Sequence, residues 1–217
     1  MEVNSSFYRP HRRSTWQRWG EGVPDAFRFA AKIPKEISHD RRLVDVDARL
    51  GQFLEEASGL GDKLAVLLLQ LPPSFAFDAD LLSAFVTTVS ALTAVPIACE
   101  PRHASWFTPE ADTLLASRQV ARVAADPARV PQAALPGGWR GLAYWRLHGS
   151  PVMYRSAYGD ARLRDVAGAI TANAAASPSV WCMFDNTASS AAMADALQLS
   201  HLLADDATDR ASARPSP

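Results

Sequence analysis

The chain has 217 residues, is 48% hydrophobic and 21% charged, and carries 22 Lys and Arg against 23 Asp and Glu, a formal net charge of −1. That length and apolar content favour one substantial core, and the scattered basic residues exclude a nucleic-acid-binding stripe. Apolar runs such as Leu64–Leu69 are far too short to span a bilayer and no secretory signal opens the chain, so a soluble, cytoplasmic protein without a membrane partner is expected.

The chain opens on a strand-like segment, Met1 to Tyr8, with Glu2, Asn4 and Ser6 on one phase. Ser14 to Gly20 reads as a short helix capped by Ser14, with Trp16 and Trp19 on one face. Phe27 to Lys32 alternates as a second strand closed by Ile33-Pro34, and Asp45 to Ser58 places Leu50, Phe53, Leu54 and Ala57 at helical spacing. Leu64 to Leu71 is continuously apolar, as expected of a parallel strand covered on both faces, and it ends in Gln70 and Pro72-Pro73. Asp78 to Ser90 is helical. Pro96 to Glu100 is a buried strand whose end surfaces in Glu100, Arg102 and His103, and Thr108-Pro109 starts the next helix.

Val120 to Asp126 reads as one strand, followed by a proline-rich loop through Gly138. Leu142 to His148 is the next strand. A loop with Tyr154 and Tyr158, a helix through Ile170, a last strand over Val180 to Asn186 and a last helix over Ala188 to Leu203 follow. Residues 205–217 read as a disordered polar tail, which leaves one domain over residues 1–204. Cys99 and Cys182 lie inside apolar runs and read as small buried hydrophobes.

Seven strands alternating with helices predict a parallel α/β fold with right-handed crossovers. Counting side chains two by two leaves one apolar face for the helices, and a second face that ends in charge on successive strands. The ends are Glu2 and Asn4, Lys32, Gln70, Glu100 and Arg102, Asp126, Arg146 and His148, and Asn186. Polar groups at successive carboxyl ends are how a (β/α)8 TIM-barrel active site is built, and no glycine-rich nucleotide fingerprint follows any strand. The barrel is therefore the expected architecture, with about seven strands.

At this mouth Glu100, His148 and Asp126 are the candidate proton-exchanging residues, His148 titrating nearest to neutral pH. Glu2, Asn4, Tyr8, Lys32, Gln70, Arg102, Trp106, Arg146, Tyr158 and Asn186 are the candidate contacts to substrate. Lys32 and the arginines would grip an anionic or carbonyl group, and rings such as Trp106 and Tyr158 would wall the pocket. No metal is expected, because no local His-x-x-x-His spacing supports one and arginines intervene. No cofactor is indicated. The competing account is a ring of ion pairs that serves register and solubility.

Six segments together resemble the DUF72 family, also called YecE-like: Glu2 to Tyr8, Phe27 to Pro34, Gln70 to Phe75, Glu100 to Phe107, Arg146 to Gly149, and Phe184-Asp185-Asn186. The resemblance covers nearly the whole chain up to the tail. It implies a TIM-barrel fold and an uncharacterised function. Members usually carry phenylalanine where Pro101 stands and two asparagines where Asp185-Asn186 stand. They also open on a strand with a Gly-Thr-Ser-Gly-Trp-Ser-Tyr-like motif, whereas this chain begins where their second strand does. A barrel short of its first strand and helix has open edges, through which self-association is expected. A native protein longer than this chain is the other expectation, and its intact mass would then exceed that of the chain.

Three functional readings follow. One is an enzyme using acid–base chemistry on a small polar or phosphorylated substrate. The others are a non-catalytic ligand-binding module or subunit, and a truncated copy without activity.

Overall fold

In the computed structural model residues 1–212 are described, with side chains through Asp205. In chain order the elements are β1 (Glu2–Val3), α1 (Arg13–Glu21), β2 (Phe29–Lys32), α2 (Asp47–Ala57), β3 (Leu64–Gln70), α3 (Ala79–Leu92), β4 (Ile97–Glu100), α4 (Pro109–Ser117) and β5 (Val120–Arg122). They continue with β6 (Ala124–Asp126), β7 (Gly137–Gly138), β8 (Ala143–Leu147), α5 (Asp160–Ala174), β9 (Val180–Phe184) and α6 (Ala191–Ser212). The chain divides into two compact units, Met1–Val123 with Gly137–Trp139, and Ala124–Pro136 with Arg140 onward.

The first unit holds a sheet of order β1-β2-β3-β4-β5-β7, parallel except for the antiparallel β5–β7 pair. Its helices begin where local chemistry stops the backbone from starting earlier. The Asp78 carboxylate accepts from the Leu81 N–H at 2.9 Å, and the Thr108 hydroxyl accepts from the Ala111 N–H at 3.3 Å ahead of Pro109. One face of the sheet, with Phe29, Ala31, Leu67, Leu69, Ile97 and Cys99, packs into a core with Leu50, Phe53, Phe85 and Val89 of the helices. The opposite face carries the polar ends, because register pairs Glu2 with Ala30, Lys32 with Leu68 and Gln70 with Glu100. The short strand β7 is held by Asp112, whose Oδ1 accepts from the Gly138 N–H at 2.8 Å and from Arg122 Nε at 3.1 Å. Gly138 has φ +64°, and a Cβ there would stand 2.5 Å from the Val120 carbonyl oxygen, so only glycine fits.

The second unit holds a parallel sheet of order β6-β8-β9. Ala143, Trp145 and Leu147 of β8 pack with Leu163, Val166 and Ile170 of α5 and Leu199 of α6. No ladder among the described residues joins the two sheets into one closed ring.

Several expectations are revised. The strand expected over Val120 to Asp126 breaks at Val123 and its halves pair in different sheets. The opening strand is only two residues long, because the Ser6 hydroxyl bonds the Val3 carbonyl at 3.0 Å and the Lys32 carbonyl at 2.7 Å, turning the chain into a 3-10 helix over Ser5–Phe7. The last helix continues to Ser212 rather than stopping at Leu203, through a stretch without proline or glycine. Of the tail expected over 205–217, residues 213–217 lie outside the described residues.

Candidate functional site

In the first unit, the sheet's polar face gathers around Glu100. This carboxylate ends β4, is 1% exposed, and one of its oxygens, Oε1, accepts from Gln70 Nε2 at 3.0 Å and from Arg102 Nε and Nη2, each at 2.9 Å. A guanidinium fork and an amide therefore fix its orientation, and such charge-assisted bonds are what makes a buried carboxylate tolerable. Lys32, 6% exposed at the end of β2, lays its ammonium 4.2 Å from the centre of the Phe7 ring. On β1, Glu2 Oε1 accepts from Asn4 Nδ2 at 2.9 Å.

His39 lies in the short π-helix over Glu36–Asp40 and bonds its neighbour Ser38 at 2.9 Å. It is also part of this cationic surrounding: its ring meets Phe7 edge-on at 5.0 Å. Its pKa is lowered by burial first, and then by Lys32, Lys35 and Arg102, with Asp40 opposing. One expected contact in this unit differs from the reading. Trp106 is fully buried and its indole N–H is spent on the Phe75 carbonyl at 2.8 Å, so it packs the core rather than walling a pocket. Tyr8 is 78% exposed and rests edge-on against Phe7 at 5.0 Å.

In the second unit the chemistry converges on Asp185, which the sequence reading did not select. Its Oδ2 lies 3.1 Å from His148 Nδ1 and 3.2 Å from Arg146 Nη2. Both partners are nearly inaccessible, with Arg146 1% and His148 2% exposed, whereas the carboxylate is 22% exposed. Pairing of Tyr144 with Trp181 and Arg146 with Met183 puts Trp181, Met183 and, one step past the strand, Asp185 on the face of Arg146. The Tyr144 and Trp181 rings stack at 6.0 Å on that face. Tyr154 meets the His148 ring edge-on at 5.8 Å.

Three expected residues of this unit are placed elsewhere. Asp126 pairs with Leu147 in the ladder and so belongs to the helix-facing side, where its Oδ1 lies 3.4 Å from Arg162 of α5. Asn186 follows Val180, Cys182 and Phe184, which pack toward the helices, and its amide donates to the Ser156 carbonyl at 2.9 Å and to Asp195 of α6 at 2.6 Å. Tyr158 belongs to the apolar core, accepts from the Gly149 N–H at 2.8 Å, and has its pKa raised chiefly by burial. All three tether loops and helices. Among the described residues no group of three or more His, Cys, Asp or Glu is arranged to hold a metal, and no helix is long and apolar enough to cross a membrane.

These placements can be set beside known proteins. Two solved structures share the fold, a DUF72 family protein from Enterococcus faecalis V583 with a TM-score of 0.80 and one from Thermotoga maritima MSB8 with 0.78. Each is 21% identical, and each comparison covers 94% of this chain and 84% of the other. Among curated relatives, UPF0759 protein YecE of Escherichia coli K12 is 35% identical over 75 residues, which is 35% of this chain and 28% of that protein. UPF0759 protein YunF of Bacillus subtilis 168 is 26% identical over 115 residues, 50% of this chain and 41% of that protein. The chain thus spans less than half the length of the curated relatives it matches. A family model described as "Protein of unknown function DUF72" matches residues 1–217, and the chain belongs to the DUF72 family.

Proposed function

We propose that this chain is a (β/α)-barrel protein, its domain spanning residues 1–204, that acts by acid–base chemistry on a small polar or phosphorylated molecule in the cytoplasm. The observation that carries this is the shared oxygen of Asp185, 3.1 Å from His148 Nδ1 and 3.2 Å from Arg146. A carboxylate oxygen only accepts, so the imidazole presents its hydrogen at Nδ1 and leaves Nε2 as the basic nitrogen, the arrangement of a general base oriented by an acid. Arg146, bound to the same oxygen, balances the carboxylate's charge.

In the first unit, taken by itself, Lys32 and Arg102 suit an anionic or carbonyl group, and Glu100, Gln70, Glu2 and Asn4 suit its donors. The two free cysteines support a reducing compartment. Strands β1 and β9 stand at the ends of their sheet orders, which supports self-association through strand edges. A second reading, ligand binding without turnover, is favoured by the burial of Glu100 at 1% and by its engagement with Gln70 and Arg102.

The test is a thermal-shift panel of phosphorylated and carboxylated metabolites, since a ligand selective for the folded chain raises its melting temperature. At least one compound is expected to stabilise the wild type. A panel in which no compound moves the transition contradicts the proposal.

A further inference from the structure

In the first unit, a cleft of about 520 Å³ lies between the segment that follows β1 and the segment that follows β2, bordered on its third side by α2. That volume falls within the range of small-molecule pockets. Its walls differ in kind from the Glu100 cluster. Phe7 and Tyr8 supply rings, 5.0 Å apart and edge to face, and Arg9, Lys35 and Arg49 supply cations against Glu36 and Asp40.

The acids of the cleft are already engaged. Asp40 receives the Lys35 ammonium at 2.6 Å, and Glu36 is shared between Arg41 at 3.2 Å and Arg49 Nε at 3.4 Å. Arg49 is the member that is not used up. Its side chain is only 16% exposed, and its Nη1 is buried with no hydrogen-bond partner among the described residues. A buried guanidinium N–H that bonds nothing costs the desolvation of a charged donor, and native structures rarely keep one without a reason. Arg49 stands in the first turn of α2, so backbone pins its Cα, and the residue lines the cleft. A planar fork with a spare donor, flanked by a lysine and a second arginine, is the arrangement that receives an oxyanion.

We infer that this cleft binds the phosphate group of a small molecule, with Arg49, Lys35 and Arg9 as its cations and the Phe7–Tyr8 rings against the body of the ligand. The inference uses residues of the first unit alone, and it and the His148–Asp185 proposal each stand if the other falls.

Inorganic phosphate is the probe, titrated calorimetrically into the full chain at constant ionic strength, with acetate and chloride as comparison anions. Phosphate is expected to bind more tightly than acetate, with chloride silent. Arg49→Gln is expected to weaken phosphate by about tenfold, the loss of roughly one charge-assisted bond. Because Arg49→Gln removes a partly buried charge on which folding also depends, Lys35→Gln and Arg9→Gln, both at exposed positions, serve as the second pair. Each is expected to weaken phosphate about threefold with an unchanged circular dichroism spectrum. No phosphate signal in the wild type, acetate binding as tightly as phosphate, or unchanged phosphate affinity in both exposed-site variants would each overturn the inference.

Discussion

His148 Nδ1 and Asp185 Oδ2 stand 3.1 Å apart on the face shared by β8 and β9, and Arg146 approaches the same oxygen at 3.2 Å. Because the oxygen of a carboxylate cannot donate, the imidazole hydrogen belongs on Nδ1 in the neutral ring. Long-range proton–nitrogen NMR on the native protein is expected to show His148 with a protonated Nδ1 and a basic Nε2. The opposite tautomer would mean that the pair is not formed in solution.

The pair also has a stability consequence. Asp185→Ala leaves Arg146, 1% exposed, without this acceptor, and burying an under-satisfied charge is expensive. A loss of about 2 kcal/mol is expected from urea unfolding. Asp185→Asn keeps one side-chain oxygen and is expected to lose less than half as much. Equal losses would show that charge, not the acceptor, matters there.

His39 predicts a pH dependence. Burial, with Lys32, Lys35 and Arg102, lowers its pKa below the ordinary 6.5, so the unfolded chain binds its proton more readily than the folded one. Its contribution to stability is therefore complete above pH 6.5 and is lost as pH falls through the lowered folded value. Unfolding free energies measured from pH 7.5 downward are expected to fall less steeply in His39→Gln than in wild type. An identical slope in the two proteins would contradict this.

The cysteines move the other way. Burial raises the Cys99 thiol, and it pushes the Cys182 thiol up to about 12 from an ordinary 9.0. A thiol raised in the folded state stabilises below the unfolded pKa, and that contribution is lost as pH climbs past 9.0. Both are expected to resist iodoacetamide at pH 8 in the native protein and to react in urea, as read by intact mass. Rapid native labelling of either would show that its strand opens more readily than its burial implies.

Much of the fold was legible because its signals are local. Asp78 and Thr108 mark helix starts by their own hydroxyl or carboxylate, and the unbroken apolar run from Leu64 reads as a covered parallel strand without reference to anything distant. The alternation of Lys32, Gln70 and Glu100 against Ala31, Leu69 and Cys99 held because each strand is continuous up to its polar end. It failed for Asp126 and Asn186. The run from Val120 breaks at Val123 and changes sheet, yet its phase carries through: Val120 pairs with the core residue Ile97 and Asp126 with the core residue Leu147, so the charge at the end of the run, not its phase, suggested the polar face. Strand β9 gives no phase of its own, since Val180, Trp181, Cys182, Met183 and Phe184 are all apolar and all half-buried. Only its register with β8 decides which face Asp185 takes, and register is a tertiary fact. The cleft beside Arg49 was equally hidden, because it depends on two loops meeting rather than on any spacing.

The account rests on His148 moving a proton for a bound molecule, and turnover of a ligand found in the thermal-shift panel measures that directly. Followed by mass spectrometry, the wild type is expected to convert the ligand, while His148→Gln binds it with similar affinity and converts it at least a hundredfold more slowly, the usual scale of a lost general base. Ligand recovered unchanged from the wild type, or converted at the wild-type rate by His148→Gln, would contradict the claim.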